Sequence, residues 1–74
     1  MELHHEFFGS EEYKNRRAEV WFKKTTTLDA HDVDIWYVKF FENDSHVGDR
    51  TIVGHTERYV EDCAENWVIG VINV

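Results

Sequence analysis

The chain reads as an α+β domain: a three-stranded antiparallel β-meander followed by a C-terminal amphipathic helix, with a short helix ahead of the first strand, (α)βββα. Three observations predict this. Residues 56–69, TERYVEDCAENWVI, set apolar pairs one helical turn apart (Tyr59 with Val60, Cys63 with Ala64, Trp67 with Val68), the spacing of a helix laid on a flat surface. Residues 18–27 and 33–42 switch to a period of two and are rich in aromatic and β-branched side chains, which is strand chemistry. Polar turn residues at 28–32 and 43–45 separate the strand segments, so adjacent strands pair as hairpins.

Taken in order, residues 1–9, MELHHEFFG, show no period and are expected to form a docked or frayed terminus, with Phe7 and Phe8 tucked against the domain. Ser10 followed by Glu11 and Glu12 resembles a helix N-cap with acids in the first turn, which predicts a short helix to about Arg17. From Ala18, the side chains of Ala18, Val20 and Phe22 point one way and those of Glu19, Trp21 and Lys23 the other. The segment VDIWYVKFFE at 33–42 is apolar on both faces, with Trp36, Val38 and Phe40 on one and Ile35, Tyr37 and Phe41 on the other; such a strand belongs in the middle of its sheet. Residues 46–54 return as the third strand, where Gly48 marks a bulge. Thr56 caps the helix and Gly70 stops it, leaving 71–74 as a short β-prone tail.

Seventy-four residues make a single domain, 1–74, near the size at which one core supplies only roughly 3–5 kcal/mol. Cys63 is the sole cysteine, which excludes an internal disulfide and reads as a small buried residue in a reducing compartment. A secretion-type start is lacking, as is an apolar run of the roughly 18 residues a membrane span needs. The expectation is a soluble cytoplasmic protein. The formal charge of −7 is uneven. Residues 1–28 balance five acids with five bases, whereas 29–74 hold ten acids against Lys39, Arg50 and Arg58. That layout disfavours a phosphate-gripping nucleic-acid binder and favours a basic partner.

Catalytic and metal chemistry find little support in the sequence. No serine or threonine sits in a Gly-x-Ser-x-Gly turn, and the domain is read as non-enzymatic, with no cofactor. His4, His5 and Glu6 are adjacent, and three consecutive ligands cannot converge from one strand or helix, so no metal site is assigned. Asp29, His31, Asp32 and Asp34 lack the glycine and the downstream glutamate of a calcium loop and read as a solvated turn.

The element order is similar to that of the double-stranded RNA-binding domain, which also runs helix, three strands, helix. That family opens its last helix with phosphate-gripping lysines; this helix opens TERYVEDCAEN with Arg58 alone, so the resemblance implies topology and not RNA binding. In length, acidity, single cysteine and aromatic content the chain also resembles the small acidic proteins with which tailed bacteriophages disable host machinery. Some of those mimic DNA, and that likeness implies a basic or nucleic-acid-binding host protein as partner.

Glu57, Glu61, Asp62 and Glu65 form an acidic stripe on the helix. At about 1.5 Å per residue its glutamates recur about every 6 Å, and like charges at this spacing cost a helix about 0.2–0.5 kcal/mol per pair. They are the expected partner-binding charges. Five Phe, three Trp and three Tyr exceed what one helix can cover, so Trp21 and Trp36 are the expected apolar anchors for a partner or a homodimer. The expected function is a small acidic protein-binding module, an inhibitor or adaptor. A self-associating virion-type protein is the alternative. A single-strand nucleic-acid binder using Lys14, Arg16, Arg17, Lys23 and Lys24 around Trp21 and Phe22 is a third.

Overall fold

The computed structural model describes residues 1–72. Strands β1 (Glu2–Phe8), β2 (Arg16–Leu28), β3 (His31–Glu42) and β4 (Ser45–Val53) form one antiparallel sheet in sequential order, and helix α1 (Glu57–Val68) packs across one face. The class is α+β as expected, but with four strands in place of three. Among the described residues no helix is long and apolar enough to cross a membrane.

The additional strand is the segment expected to be a docked or frayed terminus. Leu3 pairs with Trp21 and His5 with Val20 of β2, so His4 is an extra residue in the ladder. This bulge interrupts the two-residue alternation, which is why the segment shows no period. The helix expected over 10–17 shrinks to a single 3-10 turn, Glu11–Tyr13, in which Ser10 occupies the N-cap position without a side-chain cap bond. Gly9 N donates to Arg16 O at 2.9 Å, closing the β1–β2 connection too tightly for a longer helix. Arg16 and Arg17 therefore open a strand. A Cβ on Gly9 would collide with the carbonyl oxygens of Tyr13 and Val68, so only glycine lets this connection lie against the end of α1.

The five-residue turn expected at 28–32 is a two-residue turn. β2 and β3 stay paired out to Leu28 and His31, helped by hydrogen bonds from Thr25 Oγ1 to Asp34 Oδ1 (2.8 Å) and from Thr27 Oγ1 to Asp32 Oδ1 (3.0 Å). Neither β1 nor β4 reaches this end, and it projects as a two-stranded arm from a molecule of 45 × 20 × 18 Å. Asp29 and Ala30 turn the arm with φ of 51° and 63°, as the hairpin turn that matches strand twist requires. In β4, Gly48 pairs with Phe40 and His46 with Phe41, leaving Val47 unpaired; the bulge expected at Gly48 falls on its neighbour Val47.

Ala18, Val20, Trp36, Val38, Phe40 and Ile52 meet Val60, Cys63, Ala64, Trp67 and Val68 of α1 in a single core. Trp67 and Phe40 lie with ring centroids 5.0 Å apart. Thr56 Oγ1 accepts from Tyr59 N at 3.2 Å, capping α1. Beyond the cap residue Ile69, Gly70 takes φ +82° and ends the helix. Val71 N and Ile72 N fold back onto Asn66 O, so these two residues form no strand; the remainder of the expected tail, 73–74, lies outside the described residues.

Arg16 locks one end of the assembly. Its guanidinium lies over the rings of Tyr13 (4.7 Å) and Trp67 (4.6 Å), donates to Glu42 Oε2 at 3.0 Å and to Trp67 O at 2.8 Å, and so joins the 3-10 turn, β2, β3 and the end of α1. Arg16→Ala is expected to cost about 2 kcal/mol in denaturant unfolding, since a charged hydrogen bond in a partly buried setting contributes about 1.5–3 kcal/mol. Arg16→Lys recovers only a minor part, because an ammonium cannot reproduce the planar fork. At the arm tip, Ala30→Gly is expected to stabilise by about 0.5–1 kcal/mol by removing left-handed strain from a residue with a Cβ; an unchanged or lowered midpoint would contradict this account of the turn.

Candidate functional site

Helix α1 packs Val60, Cys63, Ala64, Trp67 and Val68 inward, and its acidic residues lie outside that stripe. Glu57 and Glu61, four residues apart and hence on one edge, are turned toward β1. His5 Nε2 lies 2.8 Å from Glu57 Oε2 and 3.2 Å from Glu61 Oε1, and His4 Nδ1 lies 3.2 Å from Glu57 Oε2. Both histidines reach the helix because of the bulge. Residue alternation would send adjacent side chains to opposite faces, but His5 is registered with buried Val20 while the extra residue His4 packs edge-on against Trp36 and beside Phe22, also beneath the helix side. Glu6, opposite Glu19, falls on the other face. Burial pushes the Glu57 carboxyl up, but hydrogen bonds and charge from His4 and His5 outweigh it and hold the group below its ordinary value.

Asp62 and Glu65 are exposed, with Arg58 Nε 3.3 Å from Asp62 Oδ1. The stripe of four expected binding charges is thus two residues engaged with β1 and two facing solvent. Asp32 and Asp34 share the alternation of Trp36 along β3, so the arm carries the negative surface beyond the N-terminus of α1; Gly54 N donates to Asp34 O at 3.1 Å there. Asp49 belongs to the opposite face, where it is registered with Lys39. Its hydrogen bond to Tyr37, together with burial and its charge, holds that phenol above its ordinary value.

Trp21 and Trp36 do not form one surface. Trp36 is only 4% exposed and belongs to the core, its indole Nε1 without a partner. That corrects its assignment as an interface anchor: β3 alternation points it under α1. Trp21 lies on the uncovered sheet face, its Nε1 donating to Glu19 Oε1 at 2.9 Å and Lys39 Nζ standing 4.9 Å from its ring. Arg17 covers Phe41 in the same manner at 4.1 Å. Phe7 packs toward the core, whereas Phe8 remains 67% exposed, so the N-terminal segment does not cover this face.

The basic stretch at 14–24 is split as well. Arg16 and Phe22 belong to the helix side, Arg17 and Trp21 to the open side, and no continuous stacking track joins them. Cys63 is buried as expected, but the charged group that reaches it is Arg50 of β4, with Nη1 3.3 Å from Sγ. Asp62 and Glu65, its neighbours in sequence, are turned outward.

No family model matches the chain, and neither a curated protein nor a solved structure matches it.

The lowered Glu57 carboxyl carries a signed consequence. A carboxylate depressed in the folded state contributes stability that is whole above its unfolded value and is lost as the pH falls through the folded one. Glu57→Gln is therefore expected to flatten the acid limb of the pH–stability curve read from urea midpoints. An acid limb of unchanged slope would mean that the histidine contacts contribute nothing to stability.

Proposed function

We propose that this chain is a small non-catalytic protein-binding module, of the inhibitor or adaptor type, that docks on a basic surface of a partner protein. The observation that supports it is the distribution of free charge on the helix side. Asp32, Asp34 and Glu65 are exposed there and, among the described residues, form no ion pair, and Asp62 is exposed beside Arg58; Arg16 is held by Glu42 and the Trp67 carbonyl, and Arg50 reaches the Cys63 sulfur. A surface of one sign steers and orients a partner of the other. The nucleic-acid-binding face of a host protein has that character, and the likeness to phage host-takeover proteins suggests such a setting. Because Glu57 and Glu61 turn to the histidines, the docking charge rests on Asp62, Glu65 and the arm in place of a continuous ridge of three glutamates.

Self-association is the second reading, favoured by the sheet face that α1 leaves uncovered around Trp21, Tyr37 and Phe41. The cations over those rings weaken it, since they replace apolar surface with charge.

The discriminating experiment is a pull-down from bacterial lysate with the wild-type chain and the Asp62→Lys/Glu65→Lys variant, at low and at raised salt. The expected result is a stoichiometric, salt-sensitive basic partner whose recovery falls at least tenfold with the variant while its thermal midpoint is unchanged. Equal recovery at low salt overturns the acidic docking surface. Recovery of the chain alone, with a light-scattering mass above that of a monomer, replaces it by self-association.

A further inference from the structure

The bulge at His4 brings together a set of donors that the linear sequence keeps more than fifty positions apart. One donor atom from each of His5, Glu57 and Glu61 lies within 4.8 Å of the others. The individual separations are 2.8 Å from His5 Nε2 to Glu57 Oε2 and 3.2 Å from His5 Nε2 to Glu61 Oε1. Around a tetrahedral zinc ion, with ligand bonds of about 2.0–2.2 Å, neighbouring donors stand roughly 3.3–3.6 Å apart. The 3.2 Å separation is close to that spacing, while the 2.8 Å one is about 0.5 Å short of it and opens slightly to admit an ion. His4 Nδ1 stands 3.2 Å from the same Glu57 oxygen but lies outside the three-residue set whose donors are mutually within 4.8 Å.

We propose that His5, Glu57 and Glu61 form a binding site for a divalent first-row transition metal ion of the zinc type, bridging β1 and α1, with the fourth position open to water.

Three further features fit this role. His4 supports Glu57 from outside the set, its Nδ1 3.2 Å from Glu57 Oε2 and its Nε2 3.4 Å from Glu2 Oε1; hydrogen bonds of this kind to a ligating carboxylate orient it. The His4 ring is also held by packing, 5.1 Å from Trp36 edge-on and 5.9 Å from Phe22, so its direction is set before any ion arrives. Finally, the donors come from two elements, and Glu57 and Glu61 lie one helical turn apart on a regular helix, which gives both carboxylates rigid backbones. An imidazole with two carboxylates and no thiolate favours zinc and its neighbours over calcium or magnesium, which take oxygen donors almost exclusively. The proposed ion uses Glu57 and Glu61, whereas the docking charge is placed on Asp62, Glu65 and the arm.

The same distances also suit hydrogen bonds between imidazole and carboxylate, and the experiment is chosen to separate the two. The untagged full chain is titrated with zinc by calorimetry, and with cobalt(II) by visible absorption, where a tetrahedral site produces intense bands and an octahedral surface ion does not. The expected result is one ion per chain with a Kd in the micromolar range or tighter, tetrahedral cobalt bands, and a thermal midpoint that rises with zinc. Glu61→Gln and His5→Asn each weaken binding at least tenfold. His31→Asn, His46→Asn and Cys63→Ser leave it unchanged, which excludes the remaining histidines tested and the thiol. Circular dichroism of Glu61→Gln, a near-isosteric change on a half-buried helix edge, confirms that its loss of binding is not loss of fold. Binding no tighter than millimolar, octahedral cobalt bands, or equal binding by Glu61→Gln and wild type would each overturn the site and leave a hydrogen-bonded cluster in its place.

Discussion

One helix can cover one face of a sheet, and most of this molecule follows from that limit. The central strands β2 and β3 are too apolar to be solvated on both sides, so the face under α1 takes the fully buried residues Ala18, Val20, Trp36, Val38 and Phe40. The other face is left with Trp21, Tyr37 and Phe41, and the chain does not bury them. It shields them, with Lys39 over Trp21 and Tyr37 and Arg17 over Phe41. A cation above an aromatic ring gains about 0.5–1 kcal/mol at an exposed site, and it also places charge where a second copy would otherwise find an apolar patch. The aromatic excess is thus divided between a dry layer and a charged one.

The same economy applies at the edges. Both outer strands, β1 and β4, expose unpaired backbone groups, and both carry a bulge, at His4 and at Val47. Bulges twist an edge and disrupt the flat template on which another strand would add. In β1 the distortion does more than protect. It turns two consecutive histidines to the helix side, so that α1 is tied to the edge strand by polar contacts at one end, while at the other Arg16 ties its last carbonyls to β2 and β3. Between those two attachments the helix rests on Trp67, Val60 and Ala64.

These attachments also sort the charges. Several acids have partners inside the molecule: Glu57 and Glu61 the histidines, Glu42 Arg16, Glu19 Arg17 and Trp21. On the helix side, Asp62 (beside Arg58) and Glu65 of α1 and Asp32 and Asp34 of the arm are exposed.

The local elements were legible because each is dictated within a few residues. Period two in 18–27 and 33–42, period 3.6 in α1, the Thr56 cap, the Gly70 stop and the bulge beside Gly48 all arise from side-chain direction and backbone sterics. The α+β class and the buried Cys63 follow from the same patterns. The tertiary structure decided what depends on pairing between distant residues. MELHHEFF became a strand because β2 offered an open edge, and its bulge, which hid the strand from any periodic reading, exists only in register with Val20 and Trp21. Trp36 was drawn from candidate surface to core by the choice of which face α1 covers. The convergence of His4 and His5 on Glu57 and Glu61 required both events at once, since neither the register of an edge strand nor the side on which a helix lands is encoded in neighbouring residues.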